Sequence, residues 1–220
     1  MGAITRLQAV NQMLLAAGES LVADLEEASG IDTGIAEFIL ERSTEDFQLR
    51  GLTGNKYDRK YEADSNAMIM LPSDTLSAEL VSNHTNDDGV TIISSLRGEP
   101  DAFLYNVTDQ TKIWKTDNTE YSVEIIHKVR WEDMDTPVQR AVVATSVRKY
   151  QLLMQGDTEV DKYFAADEAV HVAKGRAADI NDRRRHIFAT GDQGLASIFR
   201  RPLGSNDPNR FRYWRGRIGG

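Results

Sequence analysis

The sequence predicts an α+β protein: a bundle of about four helices interrupted by an antiparallel β-sheet domain and followed by an extended basic arm. Three observations carry this. Apolar residues recur at helical spacing before residue 54 and after residue 134. Between them, residues 55–133 hold short β-branched and aromatic runs divided by turn formers such as Asn86-Asp87-Asp88-Gly89 and Gly98-Glu99-Pro100-Asp101. Beyond residue 191, Gly194, Pro202, Gly204 and Pro208 forbid a long regular element. The expected division is therefore 1–54 with 134–190 as a discontinuous bundle, 55–133 as the β domain and 191–220 as the arm.

Thr5 and Gln8 are spaced as a capping box, and Leu7, Val10, Met13, Leu14 and Ala17 continue the first helix to Gly18. Ile35, Phe38, Ile39 and Phe47 mark a second helix ending near Gly51, with Asp32 or Thr33 as its cap. Strands are expected at 67–71, 78–82, 90–96, 103–107, 112–114 and 121–131. In the last, Val123, Ile125, His127 and Val129 alternate against Glu124, Ile126, Lys128 and Arg130, so one face is buried.

Residues 136–155 form the helix around which the chain is organised. Thr136 can cap it, Pro137 suits its first position and Gln139 can complete a capping box. Val138, Ala141, Val142, Thr145, Leu152 and Leu153 make one apolar stripe, and Val143, Val147, Tyr150 and Met154 another roughly opposite. Arg140, Ala144, Arg148 and Gln151 occupy the remaining wet sector. A helix apolar on two sides is either central to its domain or shared with another subunit, and the second reading makes that second stripe a subunit interface.

A long helix follows from Thr158 to about Arg185. Tyr163, Ala166, Val170, Ala173, Ala177 and Ile180 form its packing seam, which adds Tyr163 and Val170 to the interface candidates. Gly175 falls off that seam, so its expected cost is one of propensity. Arg183, Arg184 and Arg185 suit the negative end of the helix dipole.

Charge is unevenly placed. Residues 183–220 carry nine Arg and two Asp, leaving 17 basic and 32 acidic side chains in 1–182. An acidic body is a poor general binder of phosphates, and a basic tail points to docking on an acidic partner. The tail interleaves Phe199, Phe211, Tyr213 and Trp214 with Arg200, Arg201, Arg210, Arg212, Arg215 and Arg217, a composition enriched at protein interfaces and also used on single-stranded nucleic acid. The protein partner is the favoured reading.

No catalytic, cofactor-binding or metal site is expected. The sequence lacks cysteine, which fits a reducing cytosol and removes thiol chemistry. His84, His127, His171 and His186 show no metal-ligand spacing, and no phosphate loop or nucleophile elbow is present. Paired carboxylates at Glu26-Glu27, Glu45-Asp46 and Glu132-Asp133 leave a glycan or peptidoglycan hydrolase as the alternative function. Asn83-His84-Thr85 and Asn106-Val107-Thr108 match the glycosylation sequon, but the chain starts without a secretory signal pattern. No apolar run reaches membrane-spanning length.

Several segments in order are similar to the tail tubular protein A family, the head-to-tail adaptor, or gatekeeper, of T7-like short-tailed phages. Ala9-Val10-Asn11-Gln12-Met13-Leu14-Leu15-Ala16-Ala17-Gly18-Glu19 resembles its opening helix and Gly-Glu turn. Ile69-Met70-Leu71-Pro72-Ser73-Asp74-Thr75-Leu76 resembles its Leu-Pro-x-Asp-x-Leu element, and Leu104-Tyr105-Asn106 its Leu-Tyr-Asp turn. Trp131-Glu132-Asp133-Met134 resembles the lead into its central helix, and Asp167-Glu168-Ala169 its late helix. The chain departs from the pattern at Leu52 and the Tyr57 to Tyr61 stretch, at Asn106, and in lacking Pro after Glu19; the segment after residue 190 has no counterpart.

The resemblance implies a structural virion protein at the head-tail junction, made in the host cytoplasm. It implies a dodecameric ring between the portal protein and the nozzle of tail tubular protein B, with tail fibres as a further candidate partner. DNA would pass through the lumen without sequence-specific binding during ejection, and no membrane is involved. In such a ring one stripe of the central helix would close the protomer's bundle and the other would meet the next protomer. The arm, from Phe199 to Arg217, would order against the portal or a neighbouring protomer.

Overall fold

A computed structural model describes residues 2–26, 30–81, 91–98, 101–116 and 119–189, with side chains through residue 181. The turn at 86–89, part of that at 98–101, Glu27, His84 with its sequon, the side chains of Arg183 to His186 and the arm at 191–220 lie outside the described residues. Two compact units divide the chain, Met1–Asp182 and Arg183–Gly220, and every described side chain belongs to the first.

Among the described residues the architecture is α+β, with four α-helices, a three-stranded antiparallel sheet and a two-stranded one. Helix α1 (Arg6–Ala16) starts with the expected capping box: Gln8 N donates to Thr5 Oγ1 at 3.1 Å and Thr5 N to Gln8 Oε1 at 3.1 Å. Such a cap contributes about 1 kcal/mol. Helix α2 (Ile31–Gln48) begins one turn earlier than its apolar pattern, with Gly30 as N-cap and no side-chain cap bond, so neither Asp32 nor Thr33 caps it.

Strands β1 (Lys56–Tyr61), β2 (Thr75–Leu80) and β5 (Tyr121–His127) form one sheet in the order β1-β5-β2. Strands β3 (Ser94–Arg97) and β4 (Phe103–Asn106) pair separately. Central β5 alternates as its sequence requires, burying Tyr121, Val123 and Ile125. Edge strand β1 was hidden by its charges: Lys56, Asp58 and Lys60 are exposed, as an edge strand demands.

Two expected strands fail. At 67–71 only Met70 bridges to Phe103, because Asp64 Oδ1 accepts from Asn66 N and Met68 N and Ala67 takes a φ of 58°. At 112–114 the backbone leaves the ladder after Thr111, and Trp114 instead donates Nε1 to Leu104 O at 2.8 Å from a buried position. Strands 103–107 and 121–131 are present in shorter form, and 78–82 and 90–96 are shifted.

Helix α3 (Thr136–Met154) has Asp135, not Thr136, at its N-cap position, without a side-chain cap bond, and Pro137 in its first turn. Gln139 does not close a capping box. Its side chain accepts from Ile4 N at 3.0 Å and donates to Trp131 O at 2.7 Å, fixing the chain start against the entry to α3. Helix α4 (Thr158–Ala189) is entered through Gly156, at φ 66°, and Asp157 Oδ1 accepts from Glu159 N and Val160 N.

Two apolar cores result. One joins α1, α2 and α3 around Met13, Leu40, Trp131 and Tyr150, with Phe164 and Val172 of α4 packed against it; the other fills the β region around Ile69, Leu104, Val123 and Ile125. Buried Gln48 ties α2 to the segment leaving β5, donating to Val129 O at 2.9 Å and accepting from Val129 N at 2.7 Å.

Candidate assembly surfaces

Helix α3 is enclosed by its own chain. Lys149 Nζ reaches Ser43 Oγ at 3.2 Å and Asp46 Oδ2 at 3.1 Å on α2, while Arg148 turns the other way, to α4. The Arg148 guanidinium forks onto Asp161 (2.7 and 3.0 Å) and reaches Glu168 Oε2 at 2.9 Å. Those bonds hold the Asp161 carboxyl below the usual carboxylate range and push the guanidinium up.

The expectation that the second stripe of α3 lies open is corrected at Tyr150 and Met154, whereas Val143 and Val147, with almost no exposed surface, line the floor of a groove. Val143, Val147 and Tyr150 are 4%, 8% and 0% exposed, and Met154 is half-buried against the same core. Burial pushes the Tyr150 phenol up, with the carboxylates of Asp32 and Glu19 adding to the effect. The sector read as wet is covered too, since Ala144 and Gln151 are buried. The first stripe is open at its C-terminal end, where Leu152 and Leu153 are exposed beyond the packed turns.

The α4 seam is reversed as well. Gly175 is the buried contact, and a Cβ placed there would stand 3.0 Å from Ala141 Cβ and 3.2 Å from Pro137 O. Its role is close approach, not mere propensity. Ala166, nine residues earlier and so half a turn away, is exposed, and with it the whole predicted seam: Tyr163 is 79%, Val170 50% and Ile180 50% exposed. Phe164, Glu168, Val172 and Asp179 face inward instead, and Asp179 Oδ1 accepts from Thr53 N at 2.6 Å.

Helix α2 repeats this arrangement. Phe47 is 4% exposed, whereas Phe38, nine residues before it, is 65% exposed beside Ile31 at 81%. Phe38 marks the helix in the sequence without telling which face is buried; that face holds Ala36, Ser43 and Thr44, too small or polar to dominate the pattern, beside Leu40. Of the interface candidates, Tyr163 and Val170 thus lie on the surface and Tyr150 does not. The arm candidates, Phe199 through Arg217, lie outside the described residues.

A groove of about 590 Å³ runs between α1, α3 and α4, floored by Leu15, Val143, Ala144, Val147 and Phe164. Arg140 and His171 continue into a second hollow with Lys174, giving the groove a basic end, moderated by Asp167 at 3.6 Å from His171. Three of the paired carboxylates make ion pairs: Glu45 with Lys128, Asp46 with Lys149, and Asp133 with Arg130. Among the described residues no cluster of His, Asp and Glu could hold a metal, and no helix is long and apolar enough to cross a membrane.

An α+β chain that closes two cores and still turns apolar side chains outward on two helices has the surface of an assembly subunit. The family model described as tail tubular protein matches residues 7–187, and the chain belongs to that family. It is accordingly a structural component of a phage tail. Among solved structures, a chain from the neck of an empty GTA particle computed with C6 symmetry is similar at 12% identity and a TM-score of 0.28, over 74% of this chain and 93% of that one. No curated protein matches.

Proposed function

We propose that the chain is a head-to-tail adaptor, assembled as a dodecameric ring that joins the portal protein to the tail nozzle and lets DNA pass. The observation that carries the reading is the apolar seam of α4, left exposed at Tyr163, Val170 and Ile180 after the chain's own cores are complete. Family membership supports it. Within the ring the helical segments 1–54 and 134–190 act as one bundle domain that makes the bridging contacts, and 55–133 acts as the β domain.

The role is structural, without catalysis, and the purified chain should leave a peptidoglycan zymogram blank. The excess of acidic residues in 1–182 favours sliding of DNA over sticking, because like charge repels phosphates. The basic, aromatic residues from Phe199 to Arg217 dock on the portal or on a neighbouring protomer. Deleting 191–220 should weaken tail attachment to DNA-filled heads while leaving the helical signal of the body intact. Normal attachment by the truncated chain would refute the docking role.

A further inference from the structure

We infer that the groove between α1, α3 and α4 is a socket for the outer ridge of α2, Ile31 with Phe38, from a second copy of this chain. The inference rests on the ring reading above and names the surfaces that would make its repeating contact. The two features are displaced in the way a head-to-tail contact needs. On α3, Arg140 lines the groove and Lys149 binds α2; nine residues separate them, which at about 100° each is half a turn. On α2, Phe47 faces the core and Phe38 points away from it, again half a turn apart. The groove and the ridge therefore open on opposite sides of α3. A contact between unlike, oppositely placed surfaces propagates and closes by rotation, whereas a self-matching patch would stop at a dimer.

Chemistry agrees with the geometry. The ridge is apolar at Ile31 and Phe38, with Asp32 and Glu37 as its charged neighbours. The groove offers an apolar floor and a basic end made by Arg140 and Lys174, beside the His171–Asp167 pair. The same basic end disfavours the chain's own segment after residue 190 as occupant, because its arginines would meet like charge. A flat Gly34, whose Cβ would meet nothing within 4 Å, lies between Ile31 and Phe38 and leaves the ridge accessible.

The chain has no cysteine, so introduced thiols report without background. Full-length protein carrying Leu15→Cys and Phe38→Cys together, both at positions 65% exposed, is treated with a short bismaleimide under conditions that yield rings by light scattering. The expected product is a covalent ladder extending past the dimer, while each single variant yields no ladder. In parallel, Phe38→Lys should keep its helical signal and raise the concentration for half-assembly at least tenfold. Rings in which the pair stays unlinked, or in which Leu15→Cys couples instead to a second cysteine introduced in the C-terminal segment at Ser197, would overturn the inference and leave the ring reading standing. A chain that forms no ring alone or on portal would remove both.

Discussion

Helices α3 and α4 are neighbours in sequence and space, yet one is almost wholly inside and the other mostly outside. In α3 the apolar residues on both faces, Leu152 and Leu153 excepted, are absorbed by α1, α2 and α4. In α4 the longest apolar stripe is turned outward, and the helix is held by a glycine contact, an arginine clamp and a few larger side chains. A stripe in a sequence shows which residues favour removal from water. It does not show which molecule removes them. For α3 the chain itself does so; for α4 the task is left to assembly partners.

The sharpest test of that contrast compares two tyrosines. Tyr150→Ala empties a fully buried site and should cost about 3–5 kcal/mol by urea unfolding. Tyr163→Ala, on the exposed seam, should change stability by less than about 0.5 kcal/mol. Comparable losses would show that α4 packs through its seam after all. A second pair addresses the crossing. Gly175→Val should cost about 1–3 kcal/mol because Ala141 and the Pro137 carbonyl must yield, whereas Ala177→Val should be close to neutral in the isolated chain.

A smaller loss is expected for Arg148→Ala, which leaves Asp161 and Glu168 without their shared cation. Its signature lies in pH. The Asp161 carboxyl is depressed in the folded state, so its contribution is fully present above its unfolded value of about 3.9 and is lost as pH falls through the folded value. Urea midpoints of the unmodified protein should therefore fall more steeply on acidification below about pH 4 than those of Arg148→Ala. Parallel curves would mean the clamp contributes nothing to folding.

Much of the fold was legible where local chemistry and tertiary need agree. The Thr5 box, the alternation of β5 and the limits of α3 all reappear. Strand β1 was missed because an edge strand can be charged, so Lys56, Asp58 and Lys60 imitate a loop. The packed faces of α2 and α4 were missed for one shared reason. Their contacts use Ala36, Ser43, Thr44 and Gly175, whose small size allows close approach but leaves little hydrophobic signal. Bulky Phe38, Tyr163 and Val170 dominate the periodicity; Tyr163 and Val170 are interface candidates by sequence, and their exposure, with that of Phe38, defines the candidate assembly surface.

The central claim is that this exposed surface is covered by other subunits in the tail. Hydroxyl-radical footprinting of Tyr163, Val170 and Phe38, in the isolated chain and in assembled tailed particles, reads this directly. All three should be reactive in the free protein, and the seam and the ridge should be protected in particles. Equal reactivity in both states would contradict the account.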